Sequence, residues 1–227
     1  MTTTKSRNHS VKLTTDGWLD DPRLSYVTSF KRPLDIAIVL LTAPVVVLVV
    51  IVCWAIIRRD GGAGFYSQER VGLDGRMFSC WKLRSMVVDA DRALEELCKA
   101  DPKRAKEWRR DQKLKDDPRI TRIGRFIRAT SIDELPQVWN VLMGDMSIVG
   151  PRPFLSEQNA LYKKAGGRAY YRLRPGITGP WQVYGRGRTT FTDRVRYDEW
   201  YFGSMDFLTD LRLIFRTIGA VYRGTGS

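Results

Sequence analysis

Two adjacent carboxylates, Asp133 and Glu134, sit in the stretch Thr130-Ser131-Ile132-Asp133-Glu134-Leu135-Pro136. Arginines lead into them at Arg122, Arg125 and Arg128. Arg152 follows between two prolines in Gly150-Pro151-Arg152-Pro153, and Lys82 and Arg84 stand in Lys82-Leu83-Arg84-Ser85-Met86. An acid pair among fixed cations suits phosphoryl chemistry. One carboxylate can attack phosphorus or hold Mg²⁺, while guanidinium groups neutralise the phosphoryl oxygens. Carboxylates plus substrate phosphates are an ordinary Mg²⁺ ligand set. The competing reading is a helix start. Ser131 and Glu134 have capping-box spacing, and Asp133 as the cap would put Pro136 in the first turn, where its missing N–H costs nothing. In either case the acids occupy a helix N-terminus, whose dipole keeps a carboxylate ionised and attracts phosphate.

Other chemistries are excluded. His9 is the sole histidine and lies in a polar tail, which rules out Ser-His-Asp and Cys-His catalysis. No GxxxxGK[ST] stretch exists, so this is not a P-loop enzyme. Cys53, Cys80 and Cys98 form no pairing or zinc pattern, which fits a reducing cytosolic face. The chain has 227 residues and a net charge of +13, so an anionic partner is expected. Nucleic acid is set aside, because no zinc finger, RNP signature or KH loop is present.

An uncharged run, Ile36 to Ile57, must position this chemistry. Lys31 and Arg32 flank one end, Arg58 and Arg59 the other. About 20 apolar residues suffice to span a ~30 Å hydrocarbon core. Basic flanks stay on the cytoplasmic side, and two basic flanks conflict with a straight span. Pro44 offers another route. It lacks an N–H and clashes with the preceding turn, freeing the carbonyl of Leu40, and Thr42 is placed to help. A helix broken there has arms of roughly 20 Å, which dip into one leaflet and return. The residues alone leave the kinked span and the re-entrant form both open. No signal peptide is expected, because the apolar run starts late and lacks a cleavage site.

The remaining elements follow from pattern. Residues 1–28 form a polar tail, 29–59 the membrane segment and 60–227 a cytosolic, membrane-associated domain. Gly61, Gly62 and Gly64, the turn Leu73-Asp74-Gly75-Arg76 and the return Met77 to Leu83 predict a β-hairpin. Residues 88–115 read as charged helix punctuated by Pro102. Residues 119–130 form a basic amphipathic helix with Ile120, Ile123, Phe126 and Ile127 on one face, a membrane-surface pattern. Ser131 to Met143 is a further helix ended by Gly144, and Phe207 to Tyr222 is a last amphipathic one. From Gly150 to Arg188 loops dominate.

Several long stretches, in order, carry a resemblance. They are Lys31-Arg32-Pro33-Leu34-Asp35, Lys82 to Met86, Asp117-Pro118-Arg119-Ile120-Thr121-Arg122-Ile123-Gly124, Ser131 to Gln137, Met146-Ser147-Ile148-Val149-Gly150-Pro151-Arg152-Pro153 and Arg174-Pro175-Gly176-Ile177-Thr178-Gly179. The chain resembles the monotopic phosphoglycosyl transferases, or bacterial sugar transferases. In its small size it is similar to the undecaprenyl-phosphate galactose phosphotransferases of exopolysaccharide synthesis. The resemblance implies transfer of a sugar-1-phosphate, of galactose or glucose, from a UDP-sugar to undecaprenyl phosphate at the cytoplasmic face of the bacterial inner membrane. It implies Asp133 as nucleophile, Glu134 as helper and Mg²⁺ as cofactor, held by both acids. It implies Lys31 and Arg32 near lipid phosphate, Lys82, Arg84, Arg119, Arg128 and Arg152 at phosphates, and Arg174 and Gln182 on the nucleotide side. It also implies the re-entrant form. Where family members often have Ser before the proline, Ala43 precedes Pro44, which leaves Thr42 to cap the break. The expected fold is α+β and mostly helical, with a broken membrane helix, a small hairpin and interfacial helices; a homodimer is permitted. The rival from another class is a non-catalytic membrane-bound assembly or regulatory protein, which would tolerate loss of Asp133.

Overall fold

The longest element, α1 (Lys31–Ile57), follows a short π-turn at Tyr26–Phe30. The computed structural model describes residues 26–111, 114–185 and 189–222, so most of the expected polar tail lies outside the described residues. α1 runs through Pro44 without interruption. The Thr42 hydroxyl helps locally, but on the previous turn: it donates to the Ile38 carbonyl at 2.8 Å and to that of Val39 at 3.3 Å, and no such bond reaches Leu40.

Both ends of α1 are seated on the rest of the protein. Near its start Val39 packs with Cys80, Val141 and Met146; near its end Cys53 and Ile57 pack with Leu83 and Ile127. Between them most apolar side chains are bare, with Leu41 83% and Leu48 63% exposed. So much uncovered apolar surface on one segment marks a face made for a non-aqueous partner.

The hairpin forms as its sequence predicts. β1 (Phe65–Val71) pairs antiparallel with β2 (Met77–Leu83), from Phe65 opposite Leu83 to Val71 opposite Met77. The turn places Asp74 and Gly75 at positive φ, 56° and 76°, which the Asp-Gly pair tolerates. Alternation along β2 then sets two faces: Cys80 and Lys82 point inward, Trp81 outward. The charged helical stretch divides at Pro102 into α2 (Ala90–Ala100) and α3 (Pro102–Asp111). α4 (Arg122–Ala129) is capped by the Thr121 hydroxyl, which accepts from the Gly124 N–H at 2.9 Å. Ile127 is its buried anchor, while Phe126 is exposed.

The helix expected over Ser131–Met143 divides in two. Ile132–Glu134 is one 3-10 turn, and α5 (Gln137–Met143) starts after Pro136. Neither Ser131 nor Asp133 caps by its side chain. The reason is local: Pro136 has no N–H to give and sits ahead of α5, and Ser131 takes a left-handed backbone, φ 57°.

Past Gly144, which ends α5 at φ 92°, the region read as loops holds more order. β3 (Ser147–Val149) and β4 (Gly176–Thr178) pair in parallel, and α6 (Asn159–Lys164) lies between them. Two glycines permit that pairing. A Cβ on Gly150 would lie 2.3 Å from the Arg174 carbonyl oxygen, and one on Gly176 would lie 2.1 Å from the Gly150 nitrogen. Three-residue strands are too short to show a period, which is why the sequence pattern missed them. α7 (Arg194–Ser204) was not anticipated; α8 (Phe207–Tyr222) has its predicted bounds. Val149, Leu173, Tyr201, Met205 and Leu213 form the core beneath α8, and Val71, Phe154, Tyr162, Tyr170 and Val195 form an aromatic-rich core under α7. The result is mostly helical, with a small antiparallel hairpin.

Candidate active site

Three short elements converge. β2 presents Lys82, the turn after α4 presents Asp133 and Glu134, and the chain leaving β3 presents Arg152. The close approach at Gly150 and the fixed φ of Pro151 and Pro153 aim that arginine. Glu134 accepts from the Lys82 ammonium at 2.7 Å and from the Arg152 guanidinium at 2.8 and 3.4 Å. Burial alone would raise the Glu134 pKa, but the charges of Arg152 and Lys82 outweigh it and hold the carboxyl far below the ordinary range.

Asp133 differs. It is 9% exposed, and among the described residues nothing donates a hydrogen bond to its carboxylate. Its pKa is raised, first by burial, then by the adjacent Glu134 charge, against the lowering pull of Lys82 and Arg128. Neighbouring carboxyls whose environments push them apart are a sign of divided roles. Glu134 is a clamped, permanent anion. Asp133 is a desolvated carboxyl with unspent lone pairs, the state suited to a nucleophile or a metal ligand.

Glu134, Lys82 and Arg152 line a cavity of about 450 Å³, along with Arg70, Gln137 and Arg194. Four cations face one carboxylate there, so the cavity is positive overall. Asp133 stands beside this lining on the same turn as Glu134, not in it. Pattern reading missed Arg70 and Arg194. Arg70 had a usable signal, a charge inside a strand otherwise read by alternation. Arg194 had none, because its place depends on α7 folding over the cavity. Its guanidinium lies 4.0 Å from the Trp181 ring centroid and 4.9 Å from that of Phe191. Burial, then repulsion from Arg152, pushes its pKa down to about 10, and its buried Nε has no partner among the described residues.

The other expected phosphate ligands are placed elsewhere. Lys31 is buried in an ion pair with Asp210 at 2.5 Å. Arg32 donates to the carbonyls of Val141 and Leu142 at the end of α5. Arg84 pairs with Asp60 at 2.5 Å and donates to the Ile57 carbonyl at the end of α1. Arg119 makes a buried pair with Asp117 at 2.7 Å and stacks on Trp108. Arg174 donates to the Gly144 carbonyl at 2.8 Å. Gln182 reaches the Gly176 carbonyl at 3.5 Å, leaving its Oε1 buried and unpartnered among the described residues. Arg128 stays near the acids: it donates to the Ser85 hydroxyl at 2.9 Å and acts electrostatically on Asp133. Asp35, in the same stretch as Lys31 and Arg32, accepts hydrogen bonds from the Ser147 hydroxyl at 2.7 Å and the Ile148 N–H at 3.1 Å.

Among the described residues no group of three or more His, Cys, Asp or Glu converges on a point. A protein-only metal cage is therefore not built here. A magnesium ion held by one or two carboxylates and completed by substrate phosphates does fit. Among the described residues Asp133 accepts no hydrogen bond, and Glu134 Oε2 has only the long 3.4 Å contact.

The chain belongs to the bacterial sugar transferase family, which residues 26–224 match. It is 46% identical over 202 residues to the UDP-galactose-lipid carrier transferase of Erwinia amylovora, covering 87% of this chain and 41% of that protein. It is 43% identical over 198 residues to the undecaprenyl-phosphate galactose phosphotransferase of Salmonella typhimurium, covering 87% and 41%. Against the exopolysaccharide production protein ExoY of Sinorhizobium fredii it is 40% identical over 198 residues, covering 87% of both. The chain thus spans about two-fifths of the length of the first two relatives. The family resemblance read from the sequence is borne out.

Proposed function

We propose that this chain transfers a hexose-1-phosphate, of galactose or glucose, from a UDP-sugar to undecaprenyl phosphate in exopolysaccharide synthesis. The observation that carries the proposal is the contrast at the acid pair. Glu134 is clamped by Lys82 and Arg152, while Asp133 has no hydrogen-bond partner among the described residues and stands beside a cavity with surplus positive charge. The names of the relatives agree with it.

In this reading the donor diphosphate enters the cavity and is neutralised by Lys82, Arg152, Arg70 and Arg194. An Asp133 oxygen attacks the phosphorus bonded to the sugar. The bond from that phosphorus to the bridging oxygen breaks, and UMP leaves with the electron pair. An oxygen of the lipid phosphate then attacks the same phosphorus, which frees Asp133. The clamped Glu134 spaces the cations so that they meet phosphoryl oxygens and do not collapse onto Asp133. Magnesium, when bound by the acids and the diphosphate, supplies further neutralisation of the leaving group.

The same reading places α1 in the cytoplasmic leaflet of the inner membrane as a re-entrant segment that turns at a proline kink, since its helix is not broken at Pro44 as the sequence suggests. Its support is threefold: both ends pack on one body, the middle is bare and apolar, and both flanks are basic. The exposed Phe126, Trp139 and Phe215 would rest at the lipid surface.

The test is UMP release from UDP-galactose and UDP-glucose by protein in membranes with undecaprenyl phosphate and Mg²⁺. Asp133→Asn should lower the rate at least about a thousandfold without unfolding the protein, because the group removed is a nucleophile that holds no other residue. Equal release by variant and wild type would refute the assignment and return Asp133 to a structural role.

A further inference from the structure

A second recess, of about 330 Å³, lies between α1 and the start of α5. Val47, Val50 and Ile51 of α1 form one wall, and Trp81, Pro136 and Trp139 form the other. It presents only apolar surface. Its volume is at the low end for ligand sites, enough for part of a chain and too small for a whole lipid.

Its place relative to the charged cavity is informative. Trp81 lines the recess, and its neighbours Cys80 and Lys82 line the charged cavity. Strand alternation accounts for this, because successive side chains point to opposite faces. The same division recurs at α5: Pro136 and Trp139 line the recess, Gln137 the cavity. Glu134 and Pro136, one on each side, are two residues apart, at most about 7 Å of chain. The two spaces therefore share a wall one residue thick. One is positive and takes phosphate. The other is dry and opens along the helix that carries the bare apolar surface.

We propose that this recess seats the chain segment next to the phosphate of the lipid acceptor, a polyprenyl phosphate; the proposal rests on the transferase reading above. A phosphate monoester joined directly to a hydrocarbon chain matches a cationic site and an apolar groove separated by one residue. A glycerophospholipid does not match. Between its phosphate and its chains lie a glycerol unit and two ester carbonyls, and the groove offers nothing polar to receive them. β2 and the turn before α5 thus sort the substrates, with the nucleotide diphosphate on one face and the lipid chain on the other.

The test uses the whole protein in vesicles of phosphatidylethanolamine and phosphatidylglycerol. A polyprenyl phosphate carrying a diazirine on the isoprene nearest the phosphate is photolysed, and the adducts are mapped. They should fall on Val47, Val50 or Trp139, and undecaprenyl phosphate should compete them away while phosphatidic acid does not. In parallel, Val50→Trp should raise the apparent KM for undecaprenyl phosphate at least about tenfold by filling the groove. Exchange of UMP into the UDP-sugar without lipid should be unchanged. Val52→Trp, on the exposed side of the same helix, should alter neither. Adducts outside the groove, equal competition by phosphatidic acid, or an unchanged acceptor KM in Val50→Trp would overturn the proposal. Loss of exchange in the wild type with groove labelling intact would refute the two-step reaction and leave the lipid site standing.

Discussion

Two clusters in this protein join a lysine to a buried acid, and they do opposite things. At the start of α1, Lys31 meets Asp210, which also accepts hydrogen bonds from the hydroxyls of Tyr26 at 2.7 Å and Tyr201 at 2.6 Å. Both Asp210 oxygens are used, and Lys31 and Asp210 are buried. At the hairpin, Lys82 meets Glu134, but Arg152, Arg70 and Arg194 crowd the same cavity. There cation exceeds anion, and an unpartnered carboxylate stands alongside. The first cluster ties α1 to α8. The second is short of negative charge and leaves a cavity with room for an anionic ligand. A lysine–acid pair thus says little by itself; surplus charge and an open cavity distinguish a binding site from a brace.

The sharpest way to break this comparison is to remove one partner of the closed cluster. Lys31→Met leaves Asp210 buried without its cation and should cost roughly 3–5 kcal/mol of stability, read as a lower unfolding midpoint in detergent. Transfer per folded molecule should persist, and a selective loss of transfer would make Lys31 part of the site. Next comes Arg152→Lys, which keeps the charge but loses the fork. It should lower kcat/KM for the UDP-sugar roughly 10- to 100-fold with little change in unfolding temperature.

A smaller effect sharpens the boundary between cavity and core. Asp198, buried beneath Arg194, accepts from the Tyr162 hydroxyl at 2.7 Å. Its carboxyl is pushed up to about 7, chiefly by burial, although the Tyr162 bond and Arg194 oppose the rise. Its unfolded value is about 3.9. Between these values the folded state keeps a proton that the unfolded chain has released, so this group's contribution to stability falls as pH rises from about 4 to about 7. The unfolding temperature of wild type relative to Asp198→Asn should therefore drop between pH 5 and pH 8; a gap independent of pH would mean that Asp198 does not titrate there. Smallest of all, Arg92→Ala removes an exposed pair with Glu96, 79% and 64% exposed, and should change stability by no more than about 0.5 kcal/mol.

Much of this was legible in the residues. The Asp-Gly turn marked the hairpin, Pro102 and Gly144 marked helix limits, and the period from Phe207 to Tyr222 gave α8 its bounds. The acid pair with Lys82 and Arg152 was also legible, because rigid prolines and a strand exit surround those cations. The places of Arg32, Arg84 and Arg174 were not legible, for one physical reason. Helices end in unpaired carbonyls that attract guanidinium groups, and these three arginines are used on the carbonyls of Val141 and Leu142, Ile57 and Gly144. A pattern of basic residues cannot tell an arginine spent on a helix end from one left for phosphate.

The sequence by itself determined the family, the apolar segment with its basic flanks, the hairpin and the acid pair, because each is written in neighbouring residues. Tertiary structure alone decided which cations face that pair, that Asp133 accepts no hydrogen bond among the described residues, and that a charged cavity and an apolar groove lie back to back across β2. Those facts depend on which distant helix ends and strands meet, and local spacing does not encode that meeting.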